Sequence, residues 1–358
     1  MKLGELDTPA AWVDLDVMER NLARMGNYCK KHGLALRPHI KTHKVPELAY
    51  RQLSSGAVGI TSAKVTEAEV MASAGLDNIL IAYPVWGEHK WRRLAELARH
   101  ATVAIATDSV EHARALANGM GKAAKQISLL VEVDLGSSRT GLPIDENLPK
   151  SLTRIAETGI PVKGLMIYPG HIREIQEGTI ECMGESISSA IAEYDKAGLT
   201  LSVVSGGSTP TAFYSHLLPG VTEIRPGTYI FYDCNCVRIG AAAWEDCALK
   251  VRCRIVSTSV EGGAIIDGGS KTFSDAASIH GSGFGRLVQC PEVLCEKMNE
   301  EHGYLKLESS GFSPGAGDLV DVIPNHACTT VNMHHLLYGV RNGRVEEIWH
   351  VAAQGKIH

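Results

Sequence analysis

LALRPHIK at 34–41, AVGIT at 57–61, NILIAY at 78–83, TVAIAT at 102–107, ISLLVEVD at 127–134, VKGLMIY at 162–168, LSVVSGG at 201–207 and VTEIRPG at 221–227 are eight short, β-rich apolar runs. Each reads as a strand apolar on both faces, the pattern of a buried parallel sheet. Between them lie longer stretches with apolar residues three or four apart, such as KVPELAYRQLSS (44–55), KVTEAEVMASAG (64–75), GEHKWRRLAELARHA (87–101), SVEHARALANGM (109–120) and ESISSAIAEYDKAG (185–198), which is helical spacing. Eight alternations of strand and helix predict a closed (β/α)8 barrel of the TIM type.

The pattern changes beyond the last of these runs. LKVRCRIVSTSV, GAIIDGG, YLKLESS, DLVDVIP and HHLLYGVRNGRVEEIWHVAAQG are β-branched pieces separated by Gly, Asn and Asp, which predicts a smaller, mainly antiparallel β-domain. Asn342-Gly343 is its clearest hairpin marker, because a two-residue turn needs positive φ. The expected division is a barrel over 1–235, whose first residues are free to pair with the β-domain, and a β-domain over 236–358.

Composition limits the function. The chain has 358 residues, 44% hydrophobic and 21% charged, with a net charge of -5 and a pI near 6.3. That balance leaves no basic stripe for nucleic acid. No apolar run reaches the ~20 residues of a spanning helix, and the opening MKLGELDTPAAWVDLD has no signal-peptide core; a cytoplasmic protein without a membrane partner is expected. The nine cysteines show no framework of spacings, and Cys234 with Cys236 is a weak metal signal.

A barrel's chemistry gathers at the carboxyl ends of its strands. His39 and Lys41 end the first run, and strand alternation puts them on one face. A lysine driven into a barrel is costly to bury charged, and the lowered pKa that burial brings is the condition for Schiff-base chemistry. SGGSTPT (205–211) and RPGT (225–228) follow the seventh and eighth runs, where barrels commonly bind phosphate, and supply backbone N–H groups with little side chain in the way. Arg139 follows ISLLVEV and suits a carboxylate or phenolate. His326-Ala-Cys328, read as extended, directs an imidazole and a thiolate the same way, a donor pair for zinc. His334 and His335 read as ordinary histidines of the neighbouring strand.

RPHIKTHK, VEVDLGSSRTG, GLMIYPGH, SGGSTPT, EIRPGTYIFYD and PNHACTTVN occur in the order found in the D-threonine aldolase and D-serine dehydratase family, whose barrel is similar to that of alanine racemase. The resemblance spans nearly the whole chain. It implies pyridoxal 5'-phosphate (PLP) carried by Lys41, with Lys44 a neighbouring surface lysine. Gly206, Gly207, Ser208, Thr209, Gly227 and Thr228 become phosphate candidates. Tyr168 resembles an aromatic residue beside the cofactor ring, and Arg225 resembles the arginine that meets the pyridine nitrogen in alanine racemase. The family places a divalent metal, zinc or manganese with magnesium possible, at the positions of His326 and Cys328. His171 is the candidate base.

The implied activity is aldol cleavage of D-configured β-hydroxy amino acids to glycine and an aldehyde. Dehydration of D-serine or 3-hydroxy-D-aspartate to a 2-keto acid and ammonia is the alternative, since some aldolases of the family carry aspartate where Cys328 stands. A racemase or a non-catalytic PLP-binding protein ranks lower: the first gives the metal pair no purpose, and small PLP-binding proteins lack the second domain. Related barrels are dimers, so a homodimer is expected.

Overall fold

The structure, a computed structural model, describes residues 1–308 and 310–358. The chain first forms β1 (Ala10–Asp14) and α1 (Leu15–His32). The eight apolar runs then form β2 (Ala35–Leu36), β3 (Ile60–Ser62), β4 (Asn78–Ile81), β5 (Thr102–Thr107), β6 (Ile127–Val133), β7 (Val162–Ile167), β8 (Val203–Gly206) and β9 (Glu223–Ile224). All eight pair in parallel, in the order β2-β9-β8-β7-β6-β5-β4-β3. Isolated parallel bridges Leu36↔Ala57 and His39↔Thr61 join the ends of that series and close it. The result is the (β/α)8 barrel expected from the runs, and its strands are buried on both faces because helices cover the outside. Those helices are α2 (Pro46–Ser54), α3 (Val65–Ser73), α4 (Glu88–Leu97), α5 (Val110–Met120), α6 (Leu148–Ala156) and α7 (Thr179–Lys196).

After the barrel come α8 (Cys234–Arg238), β10 (Leu249–Ser257), β11 (Gly263–Ile266), α9 (Ser270–Phe273), β12 (Gly285–Leu287), β13 (Cys295–Met298), β14 (Gly303–Lys306), β15 (Leu319–Pro324), α10 (Ala327–Val331), β16 (Leu336–Arg341) and β17 (Arg344–His350). The strands make a mainly antiparallel sheet, with β1 between β10 and β16 and parallel only to the latter. Asn342 and Gly343 form the β16–β17 turn at φ 50° and 70° with Arg341 opposite Arg344, as the two-residue turn requires.

Two compact units result. One holds Met1–Arg24, Thr42–Val45 and Thr228–Gly355; the other, the barrel, holds Met25–Lys41, Pro46–Gly227 and Lys356–His358. The β-unit's core includes Val251, Cys253, Ile266, Phe273, Leu305 and Val322. Among the described residues no helix is long and apolar enough to cross a membrane.

Candidate active site

Lys41 does not continue a strand. β2 ends at Leu36, its pairing runs on through the Arg37 N–H to the Ile224 carbonyl and the His39 N–H to the Pro226 carbonyl, and Ile40–Thr42 then form one 3-10 turn. The alternation expected for His39 and Lys41 therefore does not operate; instead the Lys41 N–H approaches His39 Nδ1 at 3.4 Å. Lys41 is exposed rather than buried, so no burial cost falls on its amine. Lys44, expected at the surface, is 7% exposed with φ 56°, and its carbonyl accepts from the Ala353 N–H.

The barrel's carboxyl-end loops carry three of the remaining candidates. Arg139 stacks on the Tyr168 ring at 4.5 Å and reaches 3.8 Å from Glu132, which is 3% exposed. Burial pushes the Glu132 carboxyl up, while a hydrogen bond from Thr140 and the guanidinium groups of Arg139 and Arg225 pull it back. His171 is exposed beside the loop that carries Arg139; a Cβ built on Gly136 would lie 3.6 Å from its Nε2.

Arg225 is buried and gives Nη1–H to Ser205 Oγ at 2.7 Å and Nη2–H to the Ile167 carbonyl at 2.9 Å. Burial pulls its pKa down to about 10 against the attraction of Glu223 and Glu132. Ser205 Oγ–H in turn donates to Glu223 Oε1 at 2.5 Å, and Glu223 Oε2 accepts from Arg37 Nε–H at 2.7 Å. Arg37 also donates to Asn78 Oδ1 at 2.8 Å. A row of polar groups thus runs from Asn78 of β4 through Arg37, Glu223 and Ser205 to Arg225, the buried charges paired with acceptors.

The glycine loop after β8 lies against its neighbours. A Cβ at Gly206 would sit 2.7 Å from Ile167, and one at Gly207, where φ is 79°, 3.2 Å from Ile224. Both glycines are buried, and the close neighbours leave no room for a side chain at either position. The Ser208 N–H donates to Thr211 Oγ1 at 3.1 Å, closing a local turn, while Thr209 is half-buried and Gly227 buried. Thr228 belongs to the other unit and turns its hydroxyl toward Cys328 Sγ at 3.7 Å.

His326 and Cys328 do come together, although not along an extended segment. His326 is the extended N-cap residue of α10, and Cys328 lies in that helix's first turn. The β-branched ACTTV is a poor helix former, but the turn is held by Asp233, whose Oδ2 accepts the Ala327 N–H at 2.9 Å. The facing Cys328 thiolate is the largest influence on His326; with the Asp233 carboxylate it raises the imidazole to about 11, against burial. Thr42 Oγ1 lies 3.2 Å from Cys328 Sγ. An imidazole facing a sulfur is a donor pair that suits a thiophilic cation. Among the described residues no three His, Cys, Asp or Glu side chains group as a metal site. His334 Nε2–H is taken by the Thr272 carbonyl at 3.0 Å.

Sequence reasoning passed over Asp233, Thr42, Glu132 and Glu223. Only Asp233 carried a local signal, an acid three residues before Cys236 in YDCNC, which is N-cap spacing. The others depend on partners distant in sequence.

Two family models match the chain: the alanine racemase N-terminal domain over residues 13–235 and the putative serine dehydratase domain over 248–340. The sequence is 33% identical over 365 residues to D-threonine aldolase of Arthrobacter sp, covering 99% of this chain and 94% of that protein. The crystal structure of D-threonine aldolase from Filomicrobium marinum superposes with a TM-score of 0.92 at 33% identity, over 100% of this chain and 98% of that one. D-threo-3-hydroxyaspartate dehydratase from Delftia sp. HT23 superposes with a TM-score of 0.90 at 30% identity, over 98% of both chains. A cysteine-to-alanine mutant of the same dehydratase is described as in the metal-free form.

Proposed function

Because the chain belongs to the D-threonine aldolase and D-serine dehydratase family, with the fold of alanine racemase, we propose that it is a PLP- and divalent-metal-dependent lyase that cleaves D-β-hydroxy amino acids to glycine and an aldehyde. The barrel unit is the PLP holder in this reading and the β-unit the metal holder. The carrying observation is the pairing of His326 with Cys328 in a chain whose Lys41 sits at the mouth of a barrel strand. Bound there, PLP supplies an electron sink for charge at Cα and the cation supplies a Lewis acid for the β-hydroxyl.

The chain's own residues do the rest. Lys41 would hold the cofactor through its exposed amine. Gly206, Gly207, Thr209 and Gly227 bind the phosphate through backbone N–H groups, and Ser208, whose N–H is taken by Thr211, and Thr228 offer it their hydroxyls. Arg139, braced by Tyr168 and Glu132, binds the substrate carboxylate or the ring oxygen with a planar fork. Arg225, fixed through Ser205 and Ile167, would meet the pyridine nitrogen, and His39, whose Nδ1 lies near the Lys41 N–H, would support the cofactor lysine. His171 takes the proton of the β-hydroxyl, a task suited to an imidazole near neutral pH. His326 and Cys328 hold zinc or manganese, the thiolate favouring zinc over magnesium.

Cys328 itself favours a second reading, β-elimination from D-serine or 3-hydroxy-D-aspartate, with Lys41 removing the Cα proton. The pure protein incubated with zinc or manganese and each of D-threonine, D-serine and 3-hydroxy-D-aspartate separates the two. Glycine with aldehyde supports cleavage; keto acid with ammonia supports elimination; neither product from any substrate rejects both. We further propose a cytoplasmic homodimer.

A further inference from the structure

Asp233 is a carboxylate that the reaction above leaves unused, and its surroundings are unusual for a helix cap. It is 0% exposed, so its lone pairs must be taken by donors. Oδ1 accepts the Cys236 N–H at 2.8 Å, which caps α8. Oδ2 accepts the Ala327 N–H at 2.9 Å and meets His326 Nδ1 at 3.1 Å. A backbone N–H only donates, so both oxygens are pinned as acceptors on two separate stretches of backbone. The carboxylate cannot turn away, and it meets Nδ1 as an acceptor. That puts the ring proton on Nδ1 and leaves Nε2 to offer its lone pair.

We propose that Asp233 is the positioning residue of the metal centre. It holds His326 in the Nδ1–H form and at one ring rotation, so that Nε2 is the ligand atom turned to the cation. Through Ala327 it also fixes the first turn of α10, and with it Cys328; one carboxylate therefore orients both ligands. This rests on the reading of His326 and Cys328 as metal ligands. A carboxylate that did no more than cap α8 has no need of His326, and its loss leaves the choice of ligand nitrogen untouched.

The test uses the full chain, loaded with PLP and zinc and carrying 15N-histidine, with the His326 signals assigned by comparison with His326→Gln. Zinc on Nε2 with the proton retained on Nδ1 is expected. In a chelator competition, Asp233→Asn, which cannot accept on both arms, is expected to bind zinc ~10–100-fold more weakly, the usual cost of losing an outer carboxylate. Zinc on Nδ1, or unchanged affinity in Asp233→Asn, overturns the assignment of Asp233 while leaving the metal reading standing. A wild-type protein that keeps PLP but takes up no zinc overturns both. If Asp233→Asn does not fold, the nitrogen assignment in the wild type decides alone.

Discussion

Lys41 and Lys44 lie three positions apart in RPHIKTHK and end in opposite environments, one exposed in a 3-10 turn and one buried at positive φ. Nothing local distinguishes them, and the Lys44 carbonyl is held by the N–H of Ala353, distant in sequence; the family's motif order, rather than any rule of burial, selects Lys41. Its replacement provides the test: Lys41→Ala is expected to abolish the absorbance of the protein-bound imine, whereas Lys44→Ala retains it, as absorption spectra of the PLP-treated variants will show. His326 and Cys328 come together for a different reason. Two side chains two residues apart meet on a strand and, as here, also at a helix's first turn, so their proximity does not depend on the extended backbone that was expected. Cys328→Ala removes one of the two proposed protein ligands and is expected to cost more metal affinity than loss of an outer-sphere partner, more than ~100-fold. Metal content after dialysis and lyase activity should fall together.

Among elements, the eight barrel strands were readable because each is apolar on both faces and bounded by polar helices. β1 was not marked as a strand: five residues of AAWVD acquire a place only from Val251 and Tyr338, far along the chain. β12 and β13 escaped because they are short and carry charge, β13 also pairing with the neighbouring β14 across a register shift. Gly164 illustrates what such a reading omits inside a well-predicted strand. It follows the irregularity between β6 and β7, and a Cβ there would fall 1.9 Å from the Val203 carbonyl oxygen of β8. Backbone cannot yield as a flexible side chain can, so Gly164→Ala forces the two strands apart. Overpacking of this kind costs ~1–3 kcal/mol, to be read as a lower midpoint of denaturant unfolding, with β7 and β8 the first strands to lose hydrogen-exchange protection.

At the scale of the molecule, each unit holds a histidine that opposes folding in acid. In the barrel, buried His112 gives Nε2–H to the Val85 carbonyl at 3.1 Å and takes a hydrogen bond from Thr107 at its Nδ1, 2.8 Å away. In the other unit His334 donates to Thr272. Burial lowers both pKa values below the ordinary 6.5. A base whose folded pKa lies below its unfolded one takes up its proton more readily when unfolded, so its contribution is complete above about 6.5 and is lost as the pH falls below it. Glu132 acts in the opposite sense. Burial raises its folded pKa, so its ionisation opposes folding as the pH rises through the ordinary carboxylate range, and acid relieves it. Melting temperatures at pH 5.0 and 7.5 separate these contributions. The wild type is expected to melt lower at pH 5.0; His112→Gln, which keeps a donor and an acceptor, is expected to narrow that difference, and Glu132→Gln to widen it. A difference unmoved by His112→Gln would mean that the buried ring titrates alike in the folded and unfolded chain, which its two hydrogen bonds and lack of exposure argue against.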